Sequence, residues 1–171
     1  DEGVNDDDDE EDDPVDENER ENTTRALVIT TEEMEIPWRK FADWKDRTGL
    51  LTDVVLIEDV LGINAGDPSA LKNYLKKMRS QGIQYVVFGG DADQIPFIRS
   101  YTEVWAMEDY YGTAPVQTYY EDLDHDWDAD GDGVYGEEFD DIIVEHLREP
   151  AIAVGRVPVE TEEEARGFVE K

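Results

Sequence analysis

The period of apolar and polar positions changes several times along the chain. Arg25–Thr30 is a short apolar run rich in β-branched residues, which predicts a buried strand. Trp38, Phe41, Ala42 and Lys45 then follow helical spacing, with Pro37 where a first helical turn tolerates it and Gly49 as the stop signal. Thr52–Ile57 reads as a second strand. Asp67-Pro68 opens a second helix with a capping residue followed by proline. Its apolar stripe is Leu71, Tyr74, Leu75 and Met78, and Gly82 ends it. Tyr85–Phe88 is a third buried strand and Ala151–Val154 a fourth. Thr161-Glu-Glu-Glu164 is a capping-box pattern that opens a last helix, whose stripe of Ala165, Phe168 and Val169 is unfinished at Lys171. Strands recurring about every 30 residues with helices between them predict an open parallel sheet. The expected fold is α/β, a three-layer sandwich on a small, mostly parallel sheet of about four strands.

Charge changes this picture at the amino terminus. Residues 1–23 carry the run Asp6–Asp13 followed by Pro14, and like charges in a block repel, so the segment reads as a disordered acidic tail or propeptide remnant. Residues 24–171 form the expected α/β unit, truncated at its last helix. The whole chain has 46 acidic against 15 basic residues, a formal net charge of −31. Phosphate binding needs Lys and Arg, so nucleic acid is not an expected partner. No apolar run approaches the ~20 residues of a membrane span, and membrane insertion is not expected either. The sequence contains no cysteine, so it holds neither a disulfide nor a thiol nucleophile.

The densest chemistry lies between the third and fourth strands. Asp126-Trp-Asp128-Ala-Asp130-Gly131-Asp132-Gly-Val-Tyr-Gly-Glu137 matches the calcium-loop pattern D-x-D-x-D-G-x5-E. In that pattern Asp126, Asp128 and Asp130 converge on a hard cation and Gly131 makes the sharp turn. Asp132 offers its backbone carbonyl, and Glu137 reaches back with a bidentate carboxylate. The expected cofactor is calcium, held by a loop spanning residues 124–137. The upstream flank, Tyr119–Asp124, lacks the helical periodicity of a true EF-hand, so the loop reads as an insertion in another fold. Asp122, Asp124, Asp140 and Asp141 stand close enough to add ligands or field. His125 is a bystander, because oxygen-rich sites suit calcium.

Weaker candidates remain open. Asp91 and Asp93 follow the third strand, where open α/β sheets place ligands, and fit a second metal, a contact with a neighbouring subdomain, or a turn in which they cap backbone amides. Glu108 and Asp109 fit a substrate groove or an exposed loop. Trp38, Trp44 and Trp105 read as core or interface residues. Arg156, directly after a strand, reads as an ion-pair partner.

In their order, Ala26–Thr31, Phe41–Lys45, Val87–Pro96, Tyr119–Asp124, the acidic loop and Ala153–Pro158 resemble the gingipain-like cysteine peptidases, family C25, of the caspase-like clan. The resemblance covers roughly Arg25 to Lys171. It implies two α/β subdomains, of which this chain is similar to the first, with the His–Cys dyad in the second. His125 and His146 lack the context of that family's histidine, so no catalytic residue is expected here. The resemblance further implies proteolysis by the whole protein, a C-terminal catalytic subdomain from the same precursor as partner, protein or peptide substrates, and an extracellular or cell-surface location. A calcium-stabilised adhesion or structural module without catalysis is the alternative reading of the same residues.

Overall fold

A computed structural model of the chain describes residues 24–62, 66–103, 111–136 and 150–171. The acidic tail, Trp105, Glu108, Asp109, Glu137, Asp140, Asp141 and His146 lie outside the described residues.

Four parallel strands make the central sheet: β1 (Arg25–Thr30), β2 (Leu51–Leu56), β3 (Ile83–Gly89) and β6 (Ala153–Val157), in the order β2-β1-β3-β6. β1 pairs with β2 from Arg25↔Leu51 to Thr30↔Leu56 and with β3 on its other side, while β3 pairs with β6. Side chains alternate across a strand, and β1 shows the consequence. Leu27 and Ile29 join one buried cluster and Val28 joins another, so both faces of the sheet are covered. A strand covered on both faces has no polar side to show, which is why β1 reads as an unbroken apolar run.

The helices divide between the two faces. α1 (Glu35–Arg47) contributes Trp38 and α5 (Glu162–Val169) contributes Ala165 to the cluster around Val28. On the opposite face α2 (Ile57–Leu61) and α3 (Pro68–Ser80) contribute Ile57, Leu61, Leu71 and Leu75. Tyr119 and Tyr120 of the single turn α4 (Thr118–Glu121) join the same cluster. Chain order runs from β1 outward to β2, then back across β1 to β3. The order therefore reverses between β1 and β3, whose carboxyl ends flank a topological switch point. There Thr30 Oγ1 donates to Gly89 O at 2.7 Å.

The three long helices and four sheet strands fall near where the sequence places them, and β3 runs Ile83–Gly89 where Tyr85–Phe88 was expected. Ile57 begins α2 instead of ending β2. β6 starts two residues later than the expected strand, at Ala153. An antiparallel hairpin absent from the sequence reading, β4 (Ile98–Glu103) with β5 (Tyr111–Val116), forms a second sheet. Of the tryptophans, Trp38 is fully buried, whereas Trp44 is 50% exposed and lies beside the 45% exposed Phe168 in an apolar groove between α1 and α5.

Candidate metal centre

The acidic segment follows α4. Ala151 N donates to Glu121 O at 2.8 Å and ties the end of α4 to the approach to β6. Tyr120 Oη donates to Pro96 O at 2.8 Å and fixes the base. Trp127, the second residue of the motif, turns inward and is buried against Tyr119, ring centroids 5.8 Å apart. Gly136 N donates to Trp127 O at 2.8 Å and closes the loop into a ring. Tyr135 forms an isolated bridge to Ser100 of β4.

Within the ring each aspartate receives a backbone N–H, the local bonding that lets Asp shape turns. Asp126 Oδ1 accepts from Asp128 N at 3.2 Å, Asp128 Oδ1 from Gly133 N at 3.1 Å, Asp130 Oδ1 from Asp132 N at 3.1 Å and Asp132 Oδ1 from Val134 N at 2.7 Å. Gly131 at φ +76° and Gly133 at φ +86° supply left-handed backbone that side-chain-bearing residues rarely adopt. One carboxylate oxygen each of Asp128, Asp130 and Asp132 lies within 4.8 Å of the others. Three carboxylate oxygens so close together repel one another and make a hard-oxygen donor set. Asp126 is not in this trio, and Asp132 brings its carboxylate, where the motif assigns that residue a carbonyl.

The neighbouring acids and His125 act on the neck of the loop. Asp122 is buried, and its carboxylate lies 2.6 Å from His125 Nδ1 while accepting from Trp127 Nε1 at 2.9 Å. Burial pushes its pKa up, but the bonds from His125, Trp127 and the Asp124 amide outweigh this and hold it below the ordinary carboxylate value. Asp124 accepts from Arg79 of α3 at 2.9 and 3.0 Å. Sequence reasoning missed Lys72. Its buried ammonium donates to His125 O at 2.9 Å and sits 4.3 Å from the centroid of the Tyr119 ring. Burial lowers its pKa to about 8, against the opposing pull of Asp122. Its one sequence signal is its position beside Leu71 in the α3 stripe.

Asp91 and Asp93 occupy the turn after β3 and belong to no comparable cluster of three donors among the described residues. Asp91 uses its backbone: its N–H donates to Val159 O at 3.1 Å, and its carbonyl accepts from Ile95 N at 2.9 Å. Arg156 closes the same turn. Its guanidinium donates to the carbonyls of Gly90, Ile95 and Pro96 at 3.0–3.3 Å, so the expected ion pair is replaced by main-chain oxygens.

A doubly covered parallel sheet with a switch point, a hairpin and an acidic loop after α4 define an open α/β domain. The model of peptidase family C25 matches residues 19–171, and the chain belongs to that family. Three solved structures share the fold. One, "Structure of Protease", has a TM-score of 0.60 at 16% identity over 86% of this chain. The crystal structure of the Arg-specific cysteine proteinase gingipain R (RGPB) has 0.58 at 18% over 86%. The complex of Porphyromonas gingivalis RgpB pro- and mature domains has 0.57 at 18% over 85%. In each case the match spans 27% of the solved chain. No curated protein matches.

Proposed function

We propose that this chain is the calcium-binding, non-catalytic N-terminal subdomain of a secreted cysteine endopeptidase. The observation that carries this reading is that a chain of a cysteine-peptidase family contains no cysteine in its 171 residues. Thiolate attack on a peptide carbonyl, with His as base, then falls to a partner subdomain from the same precursor, covalently joined or cleaved. Gingipain R is an Arg-specific cysteine proteinase, and RgpB is solved as a complex of pro- and mature domains. From these we carry over protein or peptide substrates and work alongside further domains.

In this reading Asp126, Asp128, Asp130, Asp132 and Glu137 hold calcium. When bound, the ion neutralises the loop's carboxylates and cross-links it. Asp91 and Asp93 brace the catalytic subdomain, since their turn caps the switch-point end of the sheet, and Glu108 and Asp109 line the groove between subdomains. A loop of this kind suits the calcium concentrations found outside cells, which favours an extracellular or cell-surface location. No described helix is long and apolar enough to cross a membrane.

The test is capture of the native protein with an antibody to this chain, followed by a peptide electrophile directed at thiols. Label is expected on a polypeptide that contains or co-purifies with this sequence, with neither label nor peptide hydrolysis from the isolated 171 residues. Hydrolysis by the isolated chain, insensitive to thiol reagents, would overturn the proposal. So would native material without a reactive thiol.

A further inference from the structure

Among the described residues two charged side chains are buried, Lys72 at 5% exposure and Asp122 at 6%. Both act on His125 and Trp127 at the neck of the acidic loop. Lys72 Nζ donates to the carbonyl of His125, while the Asp122 carboxylate takes the Nδ1 side of His125 and the indole N–H of Trp127. An isolated ammonium buried in an apolar setting is costly, so a chain keeps one only where its charge or its hydrogen bonds offset that cost. Here the stem lies in the core of α3, and the head sits over the Tyr119 ring with Trp127 6.0 Å away. Asp122, Asp126 and Asp124 attract the head and Lys76 repels it, with burial the larger influence. Arg79, seven residues on along the same helix, bonds Asp124. One helix thus presents two cations to the amino-terminal side of a loop whose own groups are carboxylates.

We propose that Lys72 is a resident counter-cation of the acidic loop, holding the Asp122–Trp127 neck in place while the loop is metal-free and opposing the metal's charge once it is bound. The inference rests on the calcium reading of the loop. Lys72 is a positioning residue and ligates nothing. Its ammonium and the metal ion are like charges serving one acidic segment, so their effects are coupled negatively, and linkage makes the coupling reciprocal. Removing the charge therefore tightens calcium binding, while loss of the hydrogen bond to His125 O weakens the ion-free protein. A side chain that merely fills space shifts both states alike.

The experiment compares wild type with Lys72→Met, which keeps the stem without the charge, Lys72→Gln, which keeps a donor without the charge, and Lys72→Arg. For each, the melting temperature is read in chelator and in saturating calcium, and the calcium Kd is read by calorimetry. Lys72→Met, which loses the hydrogen bond to His125 O, is expected to melt lower than wild type in chelator, and both Lys72→Met and Lys72→Gln are expected to gain more on calcium addition and to bind calcium roughly five- to tenfold tighter. Lys72→Arg is expected to follow wild type in all three. An unchanged or weaker Kd in Met and Gln, with equal loss of melting temperature in chelator and calcium, would overturn the counter-cation role alone. Absence of calcium binding by wild type would overturn the calcium reading as well. Should Lys72→Met fail to fold, the Gln variant and the exposed Arg79→Ala decide, the latter with a smaller tightening expected and no tightening contradicting the role.

Discussion

At the scale of single residues, Trp38 decides what can stand at Gly89. The indole is fully buried and meets Phe41 and Phe168 with centroids 5.6 and 5.8 Å away. A Cβ at Gly89 would lie 2.3 Å from Trp38 Cε2, closer than real contacts allow. Gly89→Ala must push the ring into a packed cluster, and overpacking of this kind costs about 1–3 kcal/mol. Urea unfolding is expected to show a lowered midpoint with an unchanged slope. Gly155→Ala is the control, because nothing lies within 4 Å of its added Cβ, and it should stay within about 0.5 kcal/mol of wild type. Arg156 acts by a different means at the same end of the sheet. It gathers three carbonyls of the 90–96 turn and stacks 5.1 Å from the Phe88 centroid, which fixes the turn carrying Asp91 and Asp93.

At the scale of elements, helix ends carry measurable energy. Thr161 Oγ1 accepts from Glu164 N at 3.3 Å, and Glu164 Oε2 accepts from Glu160 N at 2.8 Å. The capping box thus reaches back one residue further than its usual form. Thr161→Ala should cost about 1 kcal/mol, seen as a lower melting temperature, with the loss concentrated in amide exchange of α5. α3 was legible because cap, stripe and stop agree, α1 by its stripe between Pro37 and Gly49, and α5 by its capping box and stripe. β1 and β3 were legible because burial on both faces leaves an apolar run. The hairpin was not. Ile98–Glu103 follows Pro96, and its partner strand contains Pro115 opposite Arg99, so the local signals spoke against strands that pairing with each other stabilises. The loop motif was legible in its aspartates, but spacing does not say which oxygens converge, and the carboxylate of Asp132 joins where a carbonyl was assigned. Lys72 was not legible, because lysines normally stay exposed and only the folded chain brings this one to His125.

At the scale of the whole molecule, charge sets the response to pH. Burial depresses Lys72 from its ordinary 10.5 to about 8. Between those values the unfolded chain holds a proton that the native chain has released, so this residue's contribution makes stability rise with pH across that window. Burial raises Tyr119 and Tyr120 above the ordinary 10.0. Above pH ~10 the unfolded chain loses protons that the native chain keeps, and stability falls. Urea midpoints in chelator should therefore climb from pH ~8 toward ~10 and drop beyond it, and Lys72→Met should flatten the climb without moving the drop. The formal charge of −31 adds self-repulsion that a bound cation relieves locally.

The most direct test of the account is calorimetric titration of chelator-treated protein with calcium, followed through Trp127 emission and melting temperature. Saturable binding should raise the melting temperature by about 5–10 °C at a hundredfold excess over Kd, from ~2.7 kcal/mol of linkage at a few degrees per kcal/mol. Asp130→Asn should weaken binding at least tenfold while leaving the chelator-state melting temperature at or above that of wild type. No heat, no emission change and no melting shift up to ~10 mM calcium, above the ~10⁻⁴–10⁻³ M range of extracellular modules, would contradict the account.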